Sequence, residues 1–286
     1  MLRIGALDVA DGAFVLMAIV NRTPDSFYDR GATYAMDAAV ARVDQVVAEG
    51  ADMVDVGGVK AAPGEEVDPA EEIRRTVDLI AAIRAAHPTL PISIDTWRAS
   101  VAKEALAAGA NVINDAWGGV DPDLPAVAAA AGAGLVCTHA GGLPPRTRPH
   151  RMAYDDVVAD IIERTTALAS AAVDAGVEPE RIMIDPGHDF GKNTRHSLEA
   201  TRRLDEIVAT GWPVLMALSN KDFVGEALDL PLEERLTGTL ATTAVSAWIG
   251  ARVFRAHNVA ATRQTLDMVA AIQGTRPPLR TTRGLM

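Results

Sequence analysis

The sequence predicts a single α/β barrel of eight parallel strands, and three observations point there. Short runs rich in Val and Ile alternate with longer segments of helical period, as in a parallel sheet covered by helices. Across the 286 residues no break in composition marks a domain boundary, and such barrels take about 250 residues as one unit. Nearly every apolar run ends in a polar or Gly-rich cluster, and in a barrel those ends share one face.

Composition narrows the function classes. Hydrophobic residues make up 49% and charged residues 23%, which excludes a disordered chain. A net charge of −11 with 4% aromatics argues against nucleic acid as a partner, since that surface needs clustered Lys and Arg. The single cysteine, Cys137, rules out an intrachain disulfide and a thiolate-rich metal site. The longest mild apolar run, residues 126–137, is too short for a membrane span of about 20 residues. Met1 to Gly5 opens no signal-peptide core. A soluble, cytoplasmic protein with no membrane partner is expected.

The elements follow in order. Residues 2–7 and 13–15, around Asp11-Gly12, predict a β-hairpin capping the N-terminal face of the barrel. Strands are expected at 15–20, 53–56, 91–94, 111–113, 134–138, 182–184, 214–218 and 252–255. Between them, Met36, Val40, Val43 and Val47 form one helical stripe. Asp68-Pro69-Ala70-Glu71 starts a second helix, with Ile73, Val77 and Ile80 on one face as its apolar stripe. Val158, Ile161, Ile162, Thr165, Leu168 and Ala172 make a third stripe, closed by Gly176. Residues 1–274 read as one barrel domain and 275–286 as a flexible tail.

The strand-end clusters are Asn21 to Ser26, Asp55-Val56-Gly57-Gly58, Asp95-Thr96, Asn114-Asp115, His139, Asp185-Pro186-Gly187, Ser219-Asn220-Lys221 and His257-Asn258. Singly, an Asp or Asn at a strand end caps a helix or closes a turn. Repeated on successive strands, Asp95, Asn114 and Asp185 instead point into the barrel mouth. Gly187 to Asn193 is one residue short of a P-loop and lacks its Ser/Thr. The six His residues show no zinc-type spacing. Cys137 and most of the dispersed Trp residues read as packing.

Taken in order, these blocks resemble those of the dihydropteroate synthases. The resemblance rests on Asn21-Arg22-Thr23-Pro24-Asp25-Ser26-Phe27, Asp55-Val56-Gly57-Gly58, Ile92 to Thr96, Ile113-Asn114-Asp115, Asp185-Pro186-Gly187 with Phe190-Gly191-Lys192, Ser219 to Phe223, and Arg255 to Val259. It implies a TIM barrel that joins p-aminobenzoate to a dihydropterin pyrophosphate. By resemblance, Asp95, Asn114, Asp185 and Lys221 match the pterin pocket. Asp185 would accept the paired 2-amino and N3 hydrogens, and Lys221 would donate to the acceptor edge. Arg255 and His257 match the pyrophosphate pair, Asn21 a Mg²⁺ ligand used when that pyrophosphate is bound, and Asp95, Lys221, Arg255 and His257 the catalytic set. A homodimer through late helices such as residues 236–248 is implied as well.

The departures cluster on the anion side. This chain has Val59-Lys60-Ala61-Ala62-Pro63-Gly64 where the family carries Glu-Ser-Thr-Arg-Pro-Gly, and Ser219-Asn220-Lys221-Asp222 where it carries Ser-Arg-Lys-Ser. Arg22, Tyr28 and Arg30 also depart from the first-loop pattern. Each lost charge-assisted hydrogen bond costs about 1.5–3 kcal/mol. The expected function is a paralogue that keeps the pterin pocket with weak or absent synthase activity. The alternatives are a working synthase, with cations regained from Lys60, Arg22 or Arg30, and another pterin-dependent transferase.

Overall fold

A computed structural model describes residues 1–23, 35–146 and 153–283. Of the first-loop positions, Tyr28 and Arg30 lie outside the described residues.

Ten strands and ten α-helices are described. The strands are β1 (Leu2–Ile4), β2 (Leu7–Val9), β3 (Val15–Asn21), β4 (Met53–Gly57), β5 (Ile92–Asp95), β6 (Val112–Asp115), β7 (Gly134–Thr138), β8 (Ile182–Asp185), β9 (Leu215–Ala217) and β10 (Val253–Ala256). The helices are α1 (Met36–Ala48), α2 (Pro69–Ala86), α3 (Ala99–Ala107), α4 (Leu124–Ala130), α5 (Val157–Asp174), α6 (Thr194–Arg202), α7 (Leu204–Val208), α8 (Asp222–Leu228), α9 (Leu236–Ile249) and α10 (Val259–Gln273). Strands β3 to β10 form one parallel sheet in the order β8-β7-β6-β5-β4-β3-β10-β9. A bridge between Ile184 and Val214 joins its two ends. The predicted barrel is therefore the observed one, with every expected strand within about two residues of its place.

Two-residue alternation makes the interior change character along its axis. Val15, Met17, Met53, Val112, Val136, Met183, Leu215 and Val253 pack inside the lower barrel. Continuing by twos up the same strands gives Asn21, Asp55, Asn114, Thr138, Asp185, Ser219, Arg255 and His257. On β5 the inward pair is Ser93 and Asp95. The intervening residues, such as Val54, Val56, Ile94 and Ile184, pack outward against the helices. The fold thus stacks an apolar floor under a polar mouth.

The hairpin differs from expectation. Its strands are β1 and β2, paired Leu2↔Val9 to Ile4↔Leu7, and the turn is Gly5-Ala6 rather than Asp11-Gly12. Gly5 takes φ +58°, a conformation glycine adopts without a Cβ penalty. Asp11-Gly12 forms a separate turn, with Ala13 N–H donating to Ala10 O at 3.1 Å, and leads straight into β3. The hairpin still plugs the bottom, because Leu2, Ile4 and Val9 join the lower interior cluster.

Helix α2 also departs in detail. Asp68 caps it, accepting from Glu71 N–H at 2.8 Å, and Pro69 opens its first turn. Its buried face, however, is Glu72, Thr76, Leu79, Ile80 and Ile83, with Ile73 and Val77 only half-buried. A polar partner explains the rotation: the fully buried Glu72 is ion-paired with Arg98 just beyond β5. The α1 stripe centres on Ala39, Val43 and Val46, flanked by Met36, Val40 and Val47. The α5 stripe stands with its interior shifted to Val158, Ile161, Thr165, Ala169 and Ala172, and Gly176 follows its end at φ +103°.

Candidate functional site

Strand ends from β4, β5, β6 and β10 bring one charged network to the mouth. Arg255 Nε donates to Asp55 Oδ2 at 2.6 Å and its Nη2 to Asp95 Oδ2 at 2.9 Å. Asn114 Nδ2 donates to the same Asp55 oxygen at 3.2 Å. Asp55 is fully buried, whereas the Asp95 side chain keeps 24% of its surface. Burial, with Asp55 close by, pushes the Asp95 carboxyl up to about 7 against the pull of Arg255. Burial acts on Arg255 in the opposite sense, yet Asp55 and Asp95 together raise its pKa. Asn21 stands at the same rim: a Cβ on Gly57 would meet its Oδ1 at 3.0 Å and Asp95 Cβ at 3.8 Å.

The loop after β8 carries the other half of the pocket. Asp185 Oδ1 accepts from Gly187 N–H at 2.7 Å. Burial raises the Asp185 carboxyl and Lys221 opposes that rise, while burial lowers the Lys221 ammonium and Asp185 opposes the fall. Lys221 Nζ donates to His188 O at 2.5 Å and sits 5.0 Å from the centre of the Phe190 ring. Trp117 meets that ring edge-on at 5.0 Å.

Beneath this loop Lys192 is buried and saturated. Its Nζ lies 2.6 Å from His139 Nδ1 and 3.1, 3.0 and 3.0 Å from the carbonyls of His139, Gly187 and Phe190, so four acceptors share its three hydrogens. The His139 proton then lies on Nε2, facing Asp160 Oδ1 at 2.6 Å. Burial and the neighbouring ammonium lower His139 to about 4. Gly187 takes φ +66°, and a Cβ there would lie 2.0 Å from His139 O, so only glycine fits. Lys192 therefore binds backbone, not phosphate, which accords with rejecting a P-loop.

On the β9–α8 side, His257 Nδ1 lies 3.0 Å from Ser219 Oγ, which also accepts from His257 N–H at 3.2 Å. Arg235 donates to Asn220 O at 3.0 Å and to Asp222 Oδ1 at 2.9 Å. Across the rim, arginines hold the altered loop after β4 by its carbonyls. Arg75 donates to Gly58 O at 3.0 Å, Arg146 to Ala62 O at 3.3 Å and to Glu65 O, and Arg98 to Val67 O at 2.7 Å. A cavity of about 360 Å³ lies between this loop and α2, lined by Lys60, Glu65, Arg75 and Arg146 among others. None of the inward-facing strand-end residues lines it.

The predicted residues Asp95, Asn114, Arg255 and Asn21 meet on one side of the mouth, Asp185 and Lys221 on another, and His257 beside Ser219. Asp115 turns away to close its own loop, accepting from Trp117 N–H at 3.1 Å and Gly119 N–H at 2.6 Å. Cys137 is buried among the outward-facing core residues, where burial raises its thiol pKa. Sequence reasoning passed over Asp55, Lys192 and Arg235 as site residues. Asp55 was within reach, since it falls two residues after the inward Met53. The other two act through backbone partners that no spacing reveals. The mouth as built offers three carboxylates, two amides, a guanidinium, an ammonium and an aromatic wall, which suits a flat heterocycle with a paired donor edge.

Comparison with known proteins agrees. The sequence profile of the family described as "Pterin binding enzyme" matches residues 17–257. The chain is 60% identical over 281 residues to the "Inactive dihydropteroate synthase 2" of Mycobacterium tuberculosis, covering 97% of this chain and 88% of that one. It is 41% identical over 247 residues to the dihydropteroate synthase of Clostridium beijerinckii, covering 85% and 88%. Among solved structures it is similar to Mycobacterium tuberculosis Rv1207, with 48% identity, a TM-score of 0.75 and coverage of 97% and 100%. It is also similar to the Yersinia pestis dihydropteroate synthase solved with a sulfonamide drug, with 30% identity, a TM-score of 0.89 and coverage of 96% and 99%. The profile match over residues 17–257 and the matches to relatives over nearly the whole chain show that this protein belongs to the pterin-binding enzyme family, among the dihydropteroate synthases.

Proposed function

We propose that this chain binds a pterin-type ligand at the barrel mouth and turns it over weakly or not at all. Asp185 accepts the ligand's amino and ring N–H, Lys221 and Asn114 meet its acceptor edge, Phe190 lines its face, and Asp95 stands by the reacting methylene. The observation that carries the second half is the rim: Ala61 and Ala62 stand where the family carries Thr and Arg, and Asn220 and Asp222 where it carries Arg and Ser, while Arg235 is engaged by Asp222 and Arg146 by the carbonyls of Ala62 and Glu65. The relatives named inactive, at about 60% identity, support the same reading.

Magnesium fits this mouth only as a ligand-borne ion. No cluster of three or more His, Cys, Asp or Glu suited to a metal exists among the described residues. Asn21 Oδ1 with the nearby Asp95 would supply hard oxygens, and a bound pyrophosphate would supply the rest. Among the described residues no helix is long and apolar enough to cross a membrane. A homodimer would use the α9–α10 face, where Val245, Trp248, Met268 and Ile272 are each more than half exposed. Sedimentation of wild type and Trp248→Glu tests that assembly.

The functional test pairs binding with turnover. Calorimetry with a dihydropterin pyrophosphate in magnesium is expected to show saturable binding. Release of pyrophosphate on adding p-aminobenzoate is expected to be slower than in an active synthase by several orders of magnitude. Turnover at ordinary rates would refute the reading, and so would no pterin binding.

A further inference from the structure

Lys221 has a second acidic neighbour besides Asp185. Asp189 takes φ +65°, a left-handed conformation that Asp adopts at a cost unless local hydrogen bonds support it. Here they do. Its Oδ2 accepts from the N–H groups of Asp222 at 2.7 Å and Phe223 at 3.4 Å. Ser197 Oγ donates to its Oδ1 at 3.3 Å and accepts from its N–H at 3.2 Å. Lys221 attracts the same carboxylate, offsetting the upward push of burial.

A further acid lies in the same stretch. Asp222 is held by Arg235, which also donates to Asn220 O. Two main-chain N–H groups thus already serve the Asp189 carboxylate, which Lys221 attracts, and Arg235 already serves the exposed Asp222. An acidic aromatic arriving beside Lys221 would meet like charge and donors already in use. A neutral one of the same shape would meet neither penalty.

We propose that Asp189 is a specificity-determining residue that stands in beside Lys221 for the carboxylate of an aminobenzoate-type co-substrate, so that the site takes a neutral aromatic amine and rejects an acidic one. The inference rests on the pterin-site reading given above.

The test proceeds in two steps. Wild type and Asp189→Asn are first saturated with a dihydropterin pyrophosphate in magnesium, which examines the pterin site alone. Each is then titrated calorimetrically with 4-aminobenzoate and with the uncharged 4-aminobenzamide. Asn tolerates the left-handed backbone and keeps an accepting oxygen, so charge is the variable. Wild type is expected to prefer the amide by about tenfold or more, and Asp189→Asn to bring the preference within about threefold, mainly by tightening the acid. Asp189→Gly, which relieves the backbone, is expected to shift the ratio the same way, which guards against a misfolded Asn variant. An unchanged ratio in both variants, or no amide binding to wild type, overturns the proposal. Failure at the first step refutes instead the reading on which it rests.

Discussion

The two sides of the barrel mouth are held together differently. Around β8 the polar groups are buried like a core, and Lys192 pins the loop that carries Asp185 and Phe190 through three carbonyls. On the anion side the cations are present but engaged: Arg255 with Asp55 and Asp95, Arg235 with Asp222, Arg146 with the Ala62 and Glu65 carbonyls. Buried networks resist change because each member leaves another unsatisfied when lost. Loops over the rim carry no such penalty. A chain can therefore keep a pocket whose polar groups also brace the barrel after the grip above it has changed.

The comparison breaks most sharply at Lys192. Lys192→Met leaves three carbonyls without their donor, so a loss of about 3 kcal/mol in unfolding free energy is expected by denaturant titration. The same variant should let the His139 pKa rise from about 4, visible in its ring resonances. Asp185→Ala deletes the pocket's principal acceptor, and pterin affinity is expected to fall about a hundredfold in calorimetry. If both changes left stability and binding intact, the buried side would be no better anchored than the rim.

Gains on the rim sharpen the contrast. The triple change Ala61→Thr, Ala62→Arg and Asn220→Arg is expected to raise pyrophosphate release at least about tenfold, or roughly 1.4 kcal/mol. No gain would locate the loss elsewhere in the site. The smallest effect concerns acidity. Asp95 has a folded pKa of about 7, above the unfolded value of about 3.9. Across that window the folded chain holds a proton that the unfolded chain has released, so this group's contribution to stability declines as pH rises. Asp95→Asn is expected to flatten the fall in melting temperature between about pH 4 and 7 by a few degrees. An identical slope in both proteins would place that proton elsewhere.

Much of this was legible in the sequence. Strand periodicity with polar residues at the strand ends fixed the barrel and the direction of Asp95, Asn114 and Asp185, because a two-residue alternation leaves a strand residue few choices. The hairpin turn was misplaced because Asp-Gly is the stronger local signal, yet Gly5-Ala6 pairs strands that the barrel floor needs. Glu72 defeated the apolar-stripe argument on α2 because its partner, Arg98, lies on another βα unit. The engagement of Arg255, Arg235 and Arg146 was illegible for the same reason. Spacing shows that a cation exists, and only three dimensions show what it already holds.

The most direct test compares 6-hydroxymethyl-7,8-dihydropterin with its pyrophosphate ester as ligands of the wild-type protein in magnesium. With the ring gripped and the anion side closed, the two should bind within about threefold of each other. A preference of about a hundredfold for the pyrophosphate would show the anion grip intact and contradict the account.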